Sequence, residues 1–380
     1  MTYARQRLWL GITGVGTTVV LALAAVTLDL PHRFIHPLAD TGFGTALASI
    51  ALAWMLHALL LLPADMIGGL LVVRDSPGVG RWIASWLRGV LVQWAWFALA
   101  TALLLRFAQQ FGNTVAILVF LLLQLVLVSR QGLIAWLVGG VRVAPVSDAL
   151  RHAASEAGLA ATAVREIGSD EPSFVGGWTG FDARQLWVPQ RWVEALPASQ
   201  LVLALRRRRA VRVGGLRRRG VLVAMAWNTV GLVLATSLPR ADLVTAAGFV
   251  TTICWFTLWS FVGVLVLPTL SRRAVFAADR AVRGDGDPAL LAQLITRLDG
   301  WQDDEAERGA GVETVFHPVP SRGSRLRALA APAAPLGDAS GAWHATRMML
   351  FLSWAGIGGL ARAVHCNVGR PAVWVLFPGD

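Results

Sequence analysis

The sequence predicts a mainly α, polytopic α-helical membrane protein that carries a smaller polar α+β domain. Three observations predict it. Of 380 residues 55% are hydrophobic and only 15% are charged, whereas a soluble chain carries about 25% charge. Six apolar stretches are long enough, or nearly so, to cross about 30 Å of hydrocarbon. Two long polar segments remain between and after them. This composition excludes a disordered chain and a soluble nucleic-acid binder, and two cysteines, Cys254 and Cys366, exclude a disulfide scaffold.

The six stretches are Leu8–Leu28, Thr41–Leu62, Gly89–Leu105, Phe111–Ser129, Val221–Leu238 and Leu243–Leu267. The first follows Arg5 and Arg7 but exceeds the usual 7–15 residues of a signal-peptide apolar region, which favours an uncleaved helix. Met348–Ala361 is a seventh candidate, too short to cross with certainty and able to dip or pack instead. All 34 basic residues are arginine against 23 acidic ones, a net charge of +11; the absence of lysine excludes lysine Schiff-base or general-base chemistry. Arg5, Arg7, Arg74, Arg81 and Arg88 lie on one side and Arg33, Arg106 and Arg240 on the other. The positive-inside rule then puts the N-terminus and every long polar segment on the cytoplasmic side; the all-arginine, alanine-rich composition suggests a bacterial chain and hence an inner membrane.

The predicted organisation is therefore 1–130, four N-terminal spans; 131–220, first part of the polar domain; 221–267, a transmembrane hairpin; 268–347, second part of the domain; and 348–380, an apolar C-terminal segment. Within the domain, Asp148–Glu166 reads as helix, Pro172–Trp178 and Gln185–Pro189 as strands, Ala198–Arg212 as a helix capped by Ser199, and Arg272–Val282 as a second helix. Ala330–Pro335 (AAPAAP) reads as a linker.

This order resembles the M48 family of membrane zinc peptidases, the group that contains HtpX and the CAAX prenyl endopeptidases. The residues that carry the resemblance are PSFVGGW, LWVPQRWVEALPASQLVLAL, SRRAVFAADRAV (Ser271–Val282) and HPVPSRGSRLRAL (His317–Leu329), with the hairpin between the two helices as in HtpX-like members. The resemblance implies a zincin-like domain and, for a typical member, H-E-x-x-H on the first helix and a ligand Glu on the second. This chain departs at every such position. The first His falls at Arg207, the general-base Glu at Arg208, the second His at Val211 and the ligand Glu at Val275. Valine offers no donor and a guanidinium has no lone pair to give a dication. The expectation is a pseudopeptidase with no catalytic or metal-ligating residue and no cofactor; the alternatives are an active membrane metalloendopeptidase with relocated zinc ligands, and a structural or lipid-binding membrane protein.

One implied residue survives, Asp279, which in the family orients a ligand histidine. Four residues from Val275, it shares that helix face and would meet Arg207, forming an ion pair in the vacated site. A second basic group, Arg206, Arg209, Arg212, Arg217, Arg218 and Arg219, precedes the fifth stretch and reads as facing anionic lipid headgroups. The expected partners are the bilayer, those headgroups, and a polypeptide or membrane-protein partner paired to the strand beside the first helix; nucleic acid is not expected, for want of any supporting motif.

The histidines His32, His36, His57, His152, His317, His344 and His365 have no zinc spacing on a domain helix. His344, His365 and Cys366 could approach one another near the C-terminus, and His57 reads as a neutral group hydrogen-bonded to a neighbouring helix. Asp303, Asp304, Glu305 and Glu307 lack the spacing of a calcium loop.

Overall fold

The computed structural model describes residues 2–35, 42–74, 77–284, 287–302, 304–331 and 341–376. His36 and Asp303 lie outside the described residues, as does most of the AAPAAP stretch. The chain opens with α1 (Tyr3–Thr27), the short α2 (Leu30–Phe34) and α3 (Phe43–Met66), which runs on through a π-helical turn at Ile67–Leu71. Next come α4 (Val79–Phe111), α5 (Asn113–Ser129) and α6 (Gln131–Gly139). The polar domain follows as β1 (Arg142–Ala144), α7 (Asp148–Glu156), β2 (Val164–Gly168), β3 (Gly177–Thr179), β4 (Gln185–Pro189), α8 (Gln190–Ala195) and α9 (Ala198–Val213). The hairpin is α10 (Leu216–Thr236) and α11 (Ala246–Arg283); then come α12 (Pro288–Trp301), α13 (Ala310–Phe316), α14 (Arg322–Ala330) and α15 (Ala345–Leu352).

Five helices (α1, α3, α4, α10, α11) are long and apolar enough to cross a membrane, and α5 with α6 forms a sixth candidate span bent by 72°. Each of the six stretches read from the sequence falls on one of them. Their outward faces carry exposed leucine and valine, as lipid contact requires, while Ile50, Leu104, Phe120 and Phe256 fill the interior. The protein is a multi-pass membrane protein with a small α+β domain.

Several boundaries differ from the sequence reading for physical reasons. The third span begins ten residues early in α4, so Arg81 and Arg88 ride on the helix rather than in a loop. The helix expected over Asp148–Glu166 stops at Glu156, because Gly158 takes φ +70°, and Val164–Gly168 goes on as strand β2. Pro172–Trp178 is not one strand: Gly176 and Gly177 take φ +63° and +143°, so pairing starts only at Gly177. Pro197, not Ser199, occupies the cap of α9. Arg272–Val282 is no separate helix but the end of α11, whose 38 residues reach about 57 Å. That exceeds the hydrocarbon thickness, so one continuous helix, with Pro268 inside it, joins the membrane to the domain.

The sheet order is β1-β2-β4-β3, with β2 and β4 parallel and the outer pairs antiparallel; Trp178 on β3 stands opposite Leu186 on β4. This places β3 at an edge, beside α9.

Residues 341–376 are not a seventh crossing helix. The helical part, α15, has eight residues, and the rest is turns and irregular backbone that end in a short 3-10 turn at Pro371–Val373. No residue of this segment is exposed; Phe351, Trp354, Ile357 and Trp374 sit inside the bundle. Irregular backbone at membrane depth must have its polar groups satisfied by protein. Side chains from the surrounding helices do this. Trp82 donates to Gly369 O (2.9 Å), Trp96 to Trp354 O (3.0 Å), Gln131 to Val375 O (3.1 Å) and Asn228 to Met349 O (3.0 Å). Close approach is allowed by glycines: a Cβ at Gly11 would lie 2.4 Å from His365 N, and one at Gly220 2.0 Å from Trp343 O. The 348–361 stretch is thus a plug held by the other helices.

Candidate functional site

Helix α9 and the domain end of α11 lie side by side. Both present small or branched apolar residues inward, and Val211 and Val275, 0% and 1% exposed, pack in one core with Leu205, Ala274 and Ala278. Into this core project two charges from the same faces. Arg207 Nε donates to Asp279 Oδ1 at 2.5 Å, with both residues almost wholly buried. A second guanidinium completes the cluster: Arg325 on α14 donates through Nε to Oδ2 (2.8 Å) and through Nη2 to Oδ1 (2.9 Å). The Arg207 guanidinium also stacks over the Trp343 ring, 5.2 Å from its centroid. Arg325, within the HPVPSRGSRLRAL segment, was not singled out from the sequence; its position in a short helix gives no sign that it folds back 46 residues onto Asp279.

The donor set decides what this arrangement can hold. A catalytic zinc takes three N, O or S donors and keeps a position open for water. At Arg207, Arg208, Val211 and Val275 there are none, and Asp279 is engaged by two arginines. The residues do not fit a zinc ion. Among the described residues no three His, Cys, Asp or Glu side chains form a group able to hold a metal. What the cluster can do chemically is neutralise and rigidify; it offers no nucleophile and no general base.

Arg208 turns toward the sheet. Its Nη2 donates to Val175 O (3.2 Å), its guanidinium lies 5.5 Å from the Trp192 ring, and its carbonyl accepts from Trp178 Nε1 (2.7 Å). The edge strand is therefore locked to α9. It is also covered, since Gly177, Trp178 and Thr179 are all buried. The space beside Gly176–Trp178 is a cavity of about 30 Å³ closed by Trp343, His344, Arg347, Met348, Val375 and Leu376. The free strand edge expected from the sequence is absent, because the protein's own C-terminal segment lies over it.

The six-arginine group does not form one lipid-facing surface. Arg217 is 4% exposed and donates to Gln131 Oε1 (2.6 Å), which turns it into the protein. Arg206 reaches the Glu156 carboxylate of α7 at 3.6 Å. Arg212 is exposed but stacks over Trp178 at 5.3 Å; Arg209, Arg218 and Arg219 are exposed, the last donating to Gly214 O. Spacing along a helix cannot separate these fates, because the helix breaks at Gly214–Gly215 between the two halves of the group.

Of the histidines, His317 and His365 meet with ring centroids 5.0 Å apart and planes inclined at 58°, and Cys366 lines the same small cavity, whereas His344 lies elsewhere, against Trp343. Burial and then Arg347, Arg208, Arg217 and Arg207 hold the His344 imidazole well below its ordinary pKa. His57 bonds Gly359 O (3.0 Å), on the C-terminal segment rather than on a neighbouring helix.

The polar groups that sequence reasoning missed anchor that segment. Arg7, expected as a topology signal, is 4% exposed and donates to Gly68 O (2.6 Å), His365 O (2.9 Å) and Val368 O (2.9 Å). Asp65 accepts from Trp86 Nε1 (2.9 Å), Gly369 N (2.7 Å) and Arg362 Nη2. Arg370 pairs with Glu171 at 2.8 Å. An acid inside an apolar run, as Asp65 is, was the available signal.

No protein-family model matches the sequence, and no curated protein matches it. Among solved structures, the crystal structure of S. mikatae Ste24p shares the fold: the TM-score is 0.68 at 14% sequence identity, and the match covers 82% of this chain and 82% of that chain.

Proposed function

We propose that this protein is a membrane pseudopeptidase: it keeps the architecture of an M48-type membrane protease and does not hydrolyse peptide bonds. The fold likeness to Ste24p supports the architecture. One observation carries the loss of chemistry: at the positions that align with the metal ligands and the general base, buried Arg207 is bound to Asp279 and the remaining residues have nothing to give a cation. Its role is then to bind. The partner is a polypeptide or a membrane protein, met outside the covered strand or after the C-terminal segment has moved. The domain faces the cytoplasm of a bacterial inner membrane, in keeping with the arginine distribution.

The test is metal content of the detergent-purified full chain by mass spectrometry after dialysis without chelator, run beside a proteolysis assay. Less than about 0.1 zinc per chain and no cleavage is the expected result. Near one zinc per chain with chelator-sensitive cleavage overturns the reading and points to an active metalloendopeptidase with relocated ligands.

A further inference from the structure

A cavity of about 310 Å³ lies where α4 leaves the membrane and meets the polar domain. That is room for about ten waters, at the lower end of the range for small-ligand sites. Its wall on α4 is built from Arg81, Ala84, Ser85 and Arg88, which at spacings of three and four share one helix face. The opposite wall brings Asp170 and Glu171, but both carboxylates are already engaged, Asp170 by Arg142 at 2.7 Å and Glu171 by Arg370 at 2.8 Å. Arg81 makes no hydrogen bond or ion pair with any described residue. Arg88 spends only its Nε, on Val138 O at 3.3 Å. Gly140, at φ +61°, has no side chain to push this guanidinium away: a Cβ there would lie 2.3 Å from both Arg88 Nη atoms. The site therefore presents two guanidinium groups that no carboxylate among the described residues pairs, beside Trp82.

The source of a complementary anion is indicated by the next face of the same helix. Leu87 and Leu91, three residues on from Ala84 and Arg88 of the cavity wall, lie beside that face, and both are apolar and exposed. A ligand with a phosphate at one end and hydrocarbon at the other matches this juxtaposition. We propose that the cavity binds an anionic phospholipid, its phosphodiester held by Arg81 and Arg88 and its acyl chains lying along Leu87 and Leu91. Arginine suits the task because its planar fork meets phosphate oxygens in pairs. The site is separate from the Arg207–Asp279 cluster, and it stands whether or not the protein hydrolyses peptides.

The experiment is native mass spectrometry of the delipidated full chain in detergent with phosphatidylglycerol, phosphatidylcholine or inorganic phosphate added. The wild type is expected to retain one phosphatidylglycerol per chain in preference to phosphatidylcholine. Arg81→Gln with Arg88→Gln should lower that retention about 10–30-fold, the loss of two arginine–headgroup contacts. Arg184→Gln with Arg280→Gln, exposed arginines of the polar domain, should leave it unchanged. Arg81→Gln alone removes no bond within the described protein, so it reports on binding even if the double variant folds poorly; it should still cost severalfold. No preference between the two lipids, an unchanged Arg81/Arg88 variant, or an equal loss in the Arg184/Arg280 control each overturns the proposal. Displacement of the lipid by millimolar inorganic phosphate also overturns it, by making the site one for free phosphate.

Discussion

Arg207 and Asp279, 72 positions apart in the sequence, meet at 2.5 Å in the core between α9 and α11. With Arg325 they make a buried cluster in which one carboxylate serves two guanidinium groups. Charges so placed stabilise little in net terms, since desolvation offsets their attraction, but removing one partner strands the other.

Asp279→Ala should accordingly be far more damaging than a cavity of that size. Loss of the carboxylate leaves Arg207 and Arg325 buried without it and should cost about 3–5 kcal/mol. Thermal unfolding of the detergent-solubilised protein reads this. Replacing Asp279, Arg207 and Arg325 together by apolar residues of similar volume should recover most of the loss; equal damage from single and triple variants would mean that the cluster contributes through shape rather than charge.

Two glycines of α1 offer a matched comparison. Gly11→Ala drives a Cβ to 2.4 Å from the backbone of His365, whereas Gly16 has nothing within 4 Å. The first should destabilise by about 1–3 kcal/mol through overpacking. The second should be neutral or stabilising by up to about 1 kcal/mol, the helix-propensity gain. The difference in melting temperature between the two variants checks whether the C-terminal segment is seated against α1.

His344 should make stability pH-dependent. Its folded-state pKa is depressed by burial and by four arginines, so on acidification the unfolded chain takes up a proton that the folded chain refuses. Stability is fully present above the unfolded value of about 6.5 and is lost progressively as the pH falls below it. His344→Asn, which suits the left-handed backbone there (φ 54°), should flatten the melting-temperature profile between pH 7 and 5. An unchanged slope would show that the imidazole already titrates freely.

Asp65→Asn should loosen the plug more than the bundle. Asp65 holds Arg362, Trp86 and the Gly369 amide at once. Hydrogen exchange measured by mass spectrometry should rise across 345–376 while α10 and α11 stay protected. A uniform rise would place Asp65 in the global core instead.

The membrane spans were legible because each is a long apolar run, and in the domain the strand Gln185–Pro189 and helix α9 after it were legible because Pro189 and Pro197 punctuate them. The juxtaposition of Arg207 and Asp279 was readable through the family resemblance, which sets Arg207 at a metal-ligand position and Asp279 one helical turn from another, Val275. What could not be read is set by contacts distant in sequence. Val164–Gly168 pairs with β1 and β4, and neither neighbour is indicated locally. Arg7 looks like any arginine before a span, yet its acceptors lie as far as 361 positions away. Met348–Ala361 has the composition of a short span, and only the surrounding glycines and carbonyl-seeking side chains turn it inward.

The plug has a consequence for the order in which the protein is made. Helix α1 emerges before the other spans, and His365, the residue seated on Gly11, after all of them. All spans can enter the bilayer before the ribosome has released the segment that fills the space among them, so the helices must wait in a hollow or collapsed arrangement. Closing so long a loop is slow and is rewarded only at the end.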